Sequence, residues 1–143
     1  MTSNLWPNMQ QLPSGLSAEI SLEEPLARFL TSSRQYNSHG PKPVAFMPNP
    51  ADGTTSVFRH DETPVDALWK IGSSVIGDRE LKLHGAAIVT TRVVTSLGLD
   101  AVPDEPPLRH AVISNWPSDV GIEKARQLEI ALQIASVARM FLR

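Results

Sequence analysis

Apolar residues occupy most of the helical circumference in the C-terminal part of the chain. Between Ala125 and Leu142 they follow one another too closely to form one narrow stripe, and the polar residues collect on one side at about 100° per residue. The pattern predicts one long terminal helix, capped near Asp119 and preceded by a short strand over residues 108–113. So broad an apolar surface needs cover on two sides. We expect one side to meet the protein's own sheet and the other to meet a second helix or a partner.

Shorter elements separated by turn-forming residues are predicted before this helix. A capping-box sequence followed by apolar residues at helical spacing predicts a first helix over residues 22–31. Two apolar runs, 44–47 and 54–59, flank a segment rich in proline and asparagine and predict a β-hairpin. A second helix is expected to begin near Pro64, because a proline is well tolerated in the first turn.

Residues 85–97 are the most ambiguous part of the pattern. Their β-branched content is typical of a strand, but apolar residues recur at helical spacing from Ala86 to Leu97, and Gly98 resembles a glycine C-cap. A helix is therefore favoured. The acidic, proline-rich segment 100–107 is expected to cross the surface to the last strand.

These elements predict an α+β fold, in which a small three-stranded antiparallel sheet carries helices packed on it and a long C-terminal helix. The sheet combines the hairpin with the strand at 108–113. Residues 1–20 are rich in serine, proline, asparagine and glutamine and are expected to form a flexible N-terminal arm. Residues 21–143 remain as a single α+β domain.

Composition narrows the classes of function. The chain of 143 residues has no cysteine, which excludes disulfides, thiolate metal sites and cysteine nucleophiles, and its net charge of −2 gives no general attraction to nucleic acid. The first residues lack the charged and apolar parts of a secretory signal, and no apolar stretch reaches the roughly 18 residues that span a bilayer. We expect a cytoplasmic protein that binds no membrane and no cofactor.

The histidines are the natural candidates for chemistry. If His60, Asp61, His84 and His110 converged, they would form a metal-activated water site or a general-base pair. The chain would then be a small histidine-dependent hydrolase or nuclease, which is the first alternative. Their spacing matches no metal-ligand motif, so no metal site is assigned.

Nucleophilic catalysis by a serine has weaker support. A Ser-His-Asp set can be drawn from Ser114, His110 and Asp119, but a serine-rich chain permits many such sets. No Gly-x-Ser-x-Gly elbow accompanies this one.

One basic stretch lies between Pro25 and Ala51, with three cations and no carboxylate. A nucleic-acid-binding subunit is the second alternative, and it would use these cations with two later arginines: Arg28, Arg34, Lys42, Arg59 and Arg109. Three cations are few for a phosphate-binding surface. A plain solvated loop is the preferred interpretation of this stretch, and a contact with an acidic partner is the alternative.

A surface that binds another protein is the favoured reading. Tryptophan and arginine often dominate such surfaces, and the terminal helix carries more apolar area than one sheet face requires. The candidate binding residues are Ile134, Val137, Met140, Phe141, Trp116, Arg109 and Trp6. We therefore expect a non-enzymatic accessory or interaction module that binds another macromolecule, preferably a protein, or associates with itself within a larger complex.

Overall fold

The computed structural model describes residues 12–60, 64–77 and 82–143. The strands in these residues are β1 Pro25–Leu30, β2 Tyr36–Asn37, β3 Gly40–Pro41, β4 Thr55–Arg59, β5 Gly85–Thr90, β6 Asp100–Pro103, β7 His110–Ser114 and β8 Arg139–Leu142. The α-helices are α1 Val65–Ile76, α2 Thr91–Ser96 and α3 Gly121–Val137. Short 3-10 turns cover Ser33–Gln35 and Pro43–Ala45.

The main sheet has six strands in the order β6-β7-β4-β1-β5-β8, and every neighbouring pair is antiparallel. Strands β2 and β3 form a separate two-stranded ribbon. The α+β class is confirmed, but the prediction of a small three-stranded sheet is wrong. Of the predicted strands, only those that became β4 and β7 belong to this sheet, and β1, β5, β6 and β8 complete it.

Both faces of the sheet are buried. On one face, the inner flank of α3 joins strand residues in one core cluster: Ile130, Ala131, Ile134, Leu26, Val57 and Ile113. On the other face, α1 and the central strands form a smaller cluster: Leu68, Ala27, Phe29, Phe58 and Ala86. Central strands that are buried on both faces lose the apolar–polar alternation by which a strand is recognised.

Strand β1 shows why a first helix over residues 22–31 is wrong. Its sequence buries Leu26 and Leu30 on one face and Ala27 and Phe29 on the other. Apolar residues on both faces of a strand coincide by chance with the three- and four-residue spacing of a helix. The capping-box sequence before β1 forms a turn instead of a helix N-terminus.

The hairpin expected across residues 44–59 does not form; only its second strand is present, as β4. The first apolar run enters a 3-10 turn, and Phe46 anchors it in the core with no exposed surface. The second predicted helix is confirmed as α1, and it ends at Gly77, whose φ of 55° suits glycine.

The ambiguous segment 85–97 divides between a strand and a helix. The preferred helix is wrong in the first half, which is β5, and confirmed in the second half, which is α2. Gly85 is needed here because an added Cβ would lie 2.3 Å from the carbonyl oxygen of Phe141 in β8. The segment expected to cross the surface instead supplies the edge strand β6.

The terminal helix is shorter than predicted. It lacks a side-chain cap from Asp119, and it ends where Ala138 becomes extended with ψ 146°. The next four residues form β8, which pairs with β5 and extends the sheet by one strand. Met140 and Phe141 therefore lie on a strand and not on the helix.

A buried ion pair joins the chain before β1 to the end of β4. The guanidinium of Arg59 binds the carboxylate of Glu24 through two nitrogens, one of them Nη2 at 2.9 Å from Oε1, and both side chains are almost fully buried. Arg59 also donates to the carbonyl oxygen of Ser17 at 2.6 Å. The carbonyl oxygen of Glu24 accepts from the N–H and the hydroxyl of Thr91. The pair thus links the segment before β1 to β4 and to the junction of β5 and α2.

Replacing Glu24 with glutamine should lower the free energy of unfolding by about 3–5 kcal/mol, because the Arg59 charge then stays buried without a counterion. The matched control is Glu23→Gln. Glu23 pairs with Arg92 on the exposed surface, where an ion pair is worth about 0–1 kcal/mol. Urea unfolding of both variants measures the two losses. Equal losses would contradict the structural role assigned to the buried pair.

Candidate functional site

A cleft of about 1130 Å³ opens beside the first turns of α3. Its walls come from the loop before β4, from β1, β4 and β7 and from the start of α3. They include polar and aromatic side chains: Arg28, Asn49, Asp52, Thr54, Ser56, Asp104, His110, Trp116, Asp119, Lys124 and Gln127. Small-molecule sites commonly occupy about 300–1,000 Å³. The cleft is therefore large enough for a ligand of metabolite size.

Arg28 spans the place where β1 and β4 part. The two strands share only two residue pairs, the second between Ala27 and Phe58. Beyond it, the Arg28 side chain reaches across, with Nε donating to the carbonyl oxygen of Ala45 at 2.7 Å and Nη1 to that of Ser56 at 3.0 Å. The side chain therefore replaces the missing ladder between the strands.

The same arginine is a desolvated cation at the wall of the cleft. Burial lowers the pKa of the Arg28 guanidinium, because water no longer solvates its charge fully. Among the described residues, no carboxylate forms an ion pair with it. An unpaired, partly buried charge is costly, and an anionic ligand would offset that cost.

Ser56, His110 and Asp104 form a chain of hydrogen bonds in this wall. The Ser56 Oγ lies 2.6 Å from His110 Nε2, and His110 Nδ1 lies 2.8 Å from the carbonyl oxygen and 3.3 Å from the carboxylate of Asp104. A carbonyl oxygen only accepts, so Nδ1 carries a hydrogen and Nε2 of the neutral ring is an acceptor. The Ser56 hydroxyl therefore donates to Nε2.

Sequence reasoning named His110 as a candidate but missed both of its partners. His110 contacts Ser56 and Asp104 rather than Ser114 and Asp119. Ser56 and His110 are 54 residues apart in the chain. They become diagonal neighbours only because β4 and β7 adopt one particular register. No local spacing signals that register.

The proposed convergence of histidines does not form between His60 and His84. The His60 N–H donates to the carbonyl oxygen of Pro25, and the His84 N–H donates to that of Leu30. These residues begin and end β1, so the two histidines lie at opposite ends of a strand roughly 16 Å long. Asp61 lies outside the described residues. Within the parts of the chain that are described, no group of three or more histidine or carboxylate side chains is placed to hold a metal ion.

The outer flank of α3 is the second candidate surface. Leu128 at 53% and Leu132 at 55% are exposed on this flank, whereas Ile122 at 90% and Val137 at 56% are exposed on other sides of the helix. Leu132, Ala135 and Ala138 form one wall of a groove of about 260 Å³, and the β2–β3 ribbon with His39 and Lys42 forms the other. We call this the ribbon groove. Leu128 lies one helical turn before Leu132 on the same flank.

The predicted protein-binding residues are dispersed over the structure. Ile134 is fully buried in the core, whereas Val137 is exposed at the end of α3. Met140 and Phe141 are half-buried on β8. Trp116 is half-buried in the wall of the cleft, and its indole N–H donates to a backbone carbonyl at 3.2 Å. Trp6 lies outside the described residues.

The cations considered for nucleic acid divide into internal and exposed groups. Arg28 and Arg59 contact groups inside the protein, as described above, and Arg109 Nε donates to the carbonyl oxygen of Arg59 at 2.9 Å. Arg34 and Lys42 are exposed next to the ribbon. Of these five cations, Arg34 and Lys42 are the two that are exposed and whose side chains do not hold strands together.

Comparisons with known proteins assign no family. The chain matches no family model, and no curated protein or solved structure is significantly similar to it. In the described ranges, no helix is both long and apolar enough to cross a membrane. The cleft and the ribbon groove are the features of the structure that bear on function.

His60 should make the protein less stable in mildly acidic solution. Burial and, to a smaller extent, the positive charge of Arg109 lower the pKa of His60. Its Nδ1 is buried with no hydrogen-bond partner in the described residues. The unfolded chain therefore takes up a proton near pH 6.5, the ordinary value, and the folded protein takes it up only at lower pH. Stability is complete above that pH and falls as the pH drops below it.

Thermal unfolding at pH 7.5 and at pH 5.5 tests this effect. The melting temperature of the natural protein should fall further between these two conditions than that of His60→Gln, which has no titratable ring at this position. If both proteins lose the same number of degrees, His60 does not cause the acid sensitivity.

Proposed function

We propose that this protein is an accessory module that binds a partner protein, and that the ribbon groove receives an acidic, amphipathic segment of that partner. The observation that carries the proposal is the uncovered flank of α3, where Leu128 and Leu132 remain more than half exposed beside a cationic ribbon. Neighbouring large apolar side chains in solvent are typical of a surface that a second molecule covers.

The apolar wall supplies affinity. Full burial of a leucine side chain contributes about 1.5–3 kcal/mol. Because Leu128 and Leu132 are each about half exposed, covering the rest of both would contribute roughly 1.5–3 kcal/mol in total. The inner flank of the helix already packs on the sheet, so this gain requires no rearrangement of the core.

The ribbon wall supplies charge selectivity. His39 and Lys42 line it, Arg34 is exposed on the turn before β2, and residues 25–51 contain no carboxylate. Positive charge on one side of an apolar groove attracts a segment with acidic residues and repels a basic one. An amphipathic acidic segment satisfies both walls at once.

The other occupants fit less well. A second copy of the chain would bring its own α3, whose exposed residues include Lys124 and Arg126 as well as Glu123 and Glu129, so charge complementarity is weak. A nucleic acid would find Arg34, Lys42 and Arg139, which follows Ala138 of the groove wall, and three exposed cations are few for a phosphate-binding surface. A hydrolase function has a specific observation in its favour, the Ser56–His110 hydrogen bond, and concerns the cleft instead of the groove.

Binding of two labelled synthetic peptides tests the proposal by fluorescence anisotropy. Both are short amphipathic helices with leucine on one face, and the polar face carries glutamate in one peptide and lysine in the other. We expect the acidic peptide to bind and the basic one not to bind. Leu132→Asp and Lys42→Glu should each weaken binding of the acidic peptide by about tenfold or more, through lost apolar contact and added like charge.

Ile122→Asp is the matched control. It makes the same kind of change at an exposed apolar position of α3, about 15 Å along the helix from Leu132, and should leave the affinity unchanged. The proposal fails if the acidic peptide does not bind, or if Ile122→Asp weakens binding as much as Leu132→Asp. If light scattering shows a dimer and Leu132→Asp converts it to a monomer, the occupant of the ribbon groove is a second copy of the chain.

A further inference from the structure

We propose that the cleft is a hydrolytic site for small esters with an anionic group, in which Ser56 is the nucleophile, His110 its base and Arg28 the anchor for the anion. This activity goes beyond partner binding in the ribbon groove and does not depend on it. The three residues come from β4, β7 and β1, and all three line the cleft.

The direction of the Ser56–His110 hydrogen bond prepares the serine for attack. The Asp104 carbonyl oxygen fixes the hydrogen on His110 Nδ1, so the lone pair of Nε2 accepts from the Ser56 Oγ at 2.6 Å. The ring also packs against Phe58, with 5.1 Å between the ring centroids, which limits its rotation. A serine hydroxyl that donates to an oriented histidine is the pair required for nucleophilic catalysis.

The reaction balances with water as the only other reactant. The Ser56 Oγ attacks the ester carbonyl carbon, and its proton passes to His110 Nε2. The bond between the carbonyl carbon and the alcohol oxygen then breaks, and Nε2–H protonates the departing alkoxide to leave an acyl-Ser56. Water attacks this ester and gives a proton to Nε2. Release of the carboxylic acid returns that proton to the Ser56 oxygen.

Arg28 determines the class of substrate. Its Nε and Nη1 donate to backbone carbonyl oxygens, and Nη2 has no acceptor among the described residues. Arg28 leaves β1 on the face of Leu26 and Leu30, and the Ser56 hydroxyl leaves β4 on the opposite face with Phe58. The two residues meet in the gap between the strands, where Nη1 donates to the carbonyl oxygen of Ser56 and holds the guanidinium next to the nucleophile's backbone. A carboxylate or phosphate on the substrate would pair with this cation and place a nearby ester in reach of Ser56.

A fluorophosphonate probe tests the nucleophile. The probe forms a bond between phosphorus and an activated serine oxygen and releases fluoride, and peptide mapping by mass spectrometry locates the adduct. We expect the adduct on Ser56 and its loss in Ser56→Ala, which removes one oxygen, and in His110→Gln. Ser96→Ala, a change at an exposed serine of α2, should be labelled like the natural protein. No adduct, or an adduct on another serine, would overturn the proposal.

Ester hydrolysis tests the base and the anchor. The anionic ester is 4-acetoxybenzoate and the neutral one is methyl 4-acetoxybenzoate; both carry the same acetyl group, and the carboxylate of the first cannot reach its own ester carbon. The natural protein should have a kcat/KM about tenfold or more higher for the anionic ester. His110→Gln should lower the rate on both esters by about 10²–10⁴-fold, the usual contribution of a general base.

The preference between the two esters reports on Arg28 separately from the overall rate. In Arg28→Met the ratio of the two kcat/KM values should fall about tenfold or more, whatever the substitution does to the overall rate. Equal rates on both esters in the natural protein would overturn the assignment of Arg28, and this comparison needs no variant.

Discussion

Helix α3 can bury only one of its two apolar flanks, and this limit decides what the protein presents to its surroundings. The inner flank, with Ile130 and Ile134, fills the core on one face of the sheet. The chain after the helix adds β8 to the sheet edge instead of folding over the helix. Leu128 and Leu132 consequently stay exposed, and the ribbon groove forms beside them.

The same helix borders both candidate sites. Its first half lines the cleft through Lys124 and Gln127, and the side-chain amide of Gln127 donates to the carbonyl oxygen of Pro117 at 2.6 Å. Its second half lines the ribbon groove. The 3-10 turn Pro43–Ala45 lies between them, because its first residue lines the groove and its second the cleft. One rigid helix thus positions a surface for a partner and a wall for a small ligand.

Sequence patterns predicted the parts of this structure that depend on nearby residues. Helix α1, the two strands β4 and β7, and the excess apolar surface of the C-terminal helix all follow from local spacing. The elements that depend on pairing between distant strands could not be predicted from local spacing. Strand β1 has the apolar spacing of a helix because it is buried on both faces. The apolar residues of β8 continue the apolar pattern of the C-terminal helix, although they form a strand that pairs with β5. A register that joins distant strands leaves no local trace in the sequence.

The cations and hydroxyls of the cleft were hidden for the same reason. Arg28 and Arg59 resemble surface cations in the sequence, yet one fills the gap between two strands and the other sits in a buried ion pair. Nothing in the sequence near Ser56 marks it as a functional residue, because its contact with His110 depends on the pairing of β4 with β7. Local composition indicates which residue types are available, whereas the sheet decides which of them meet.

The most direct measurement for the proposed function is site-specific photo-crosslinking in the source cells. A photoreactive phenylalanine analogue replaces Leu132 in one protein and Ile122 in another, and mass spectrometry identifies the crosslinked peptides. The position of Leu132 should give crosslinks to an acidic segment of a partner protein, and the position of Ile122 should not. Identical products from both positions, or crosslinks only to a second copy of the chain or to nucleic acid, would contradict the proposal.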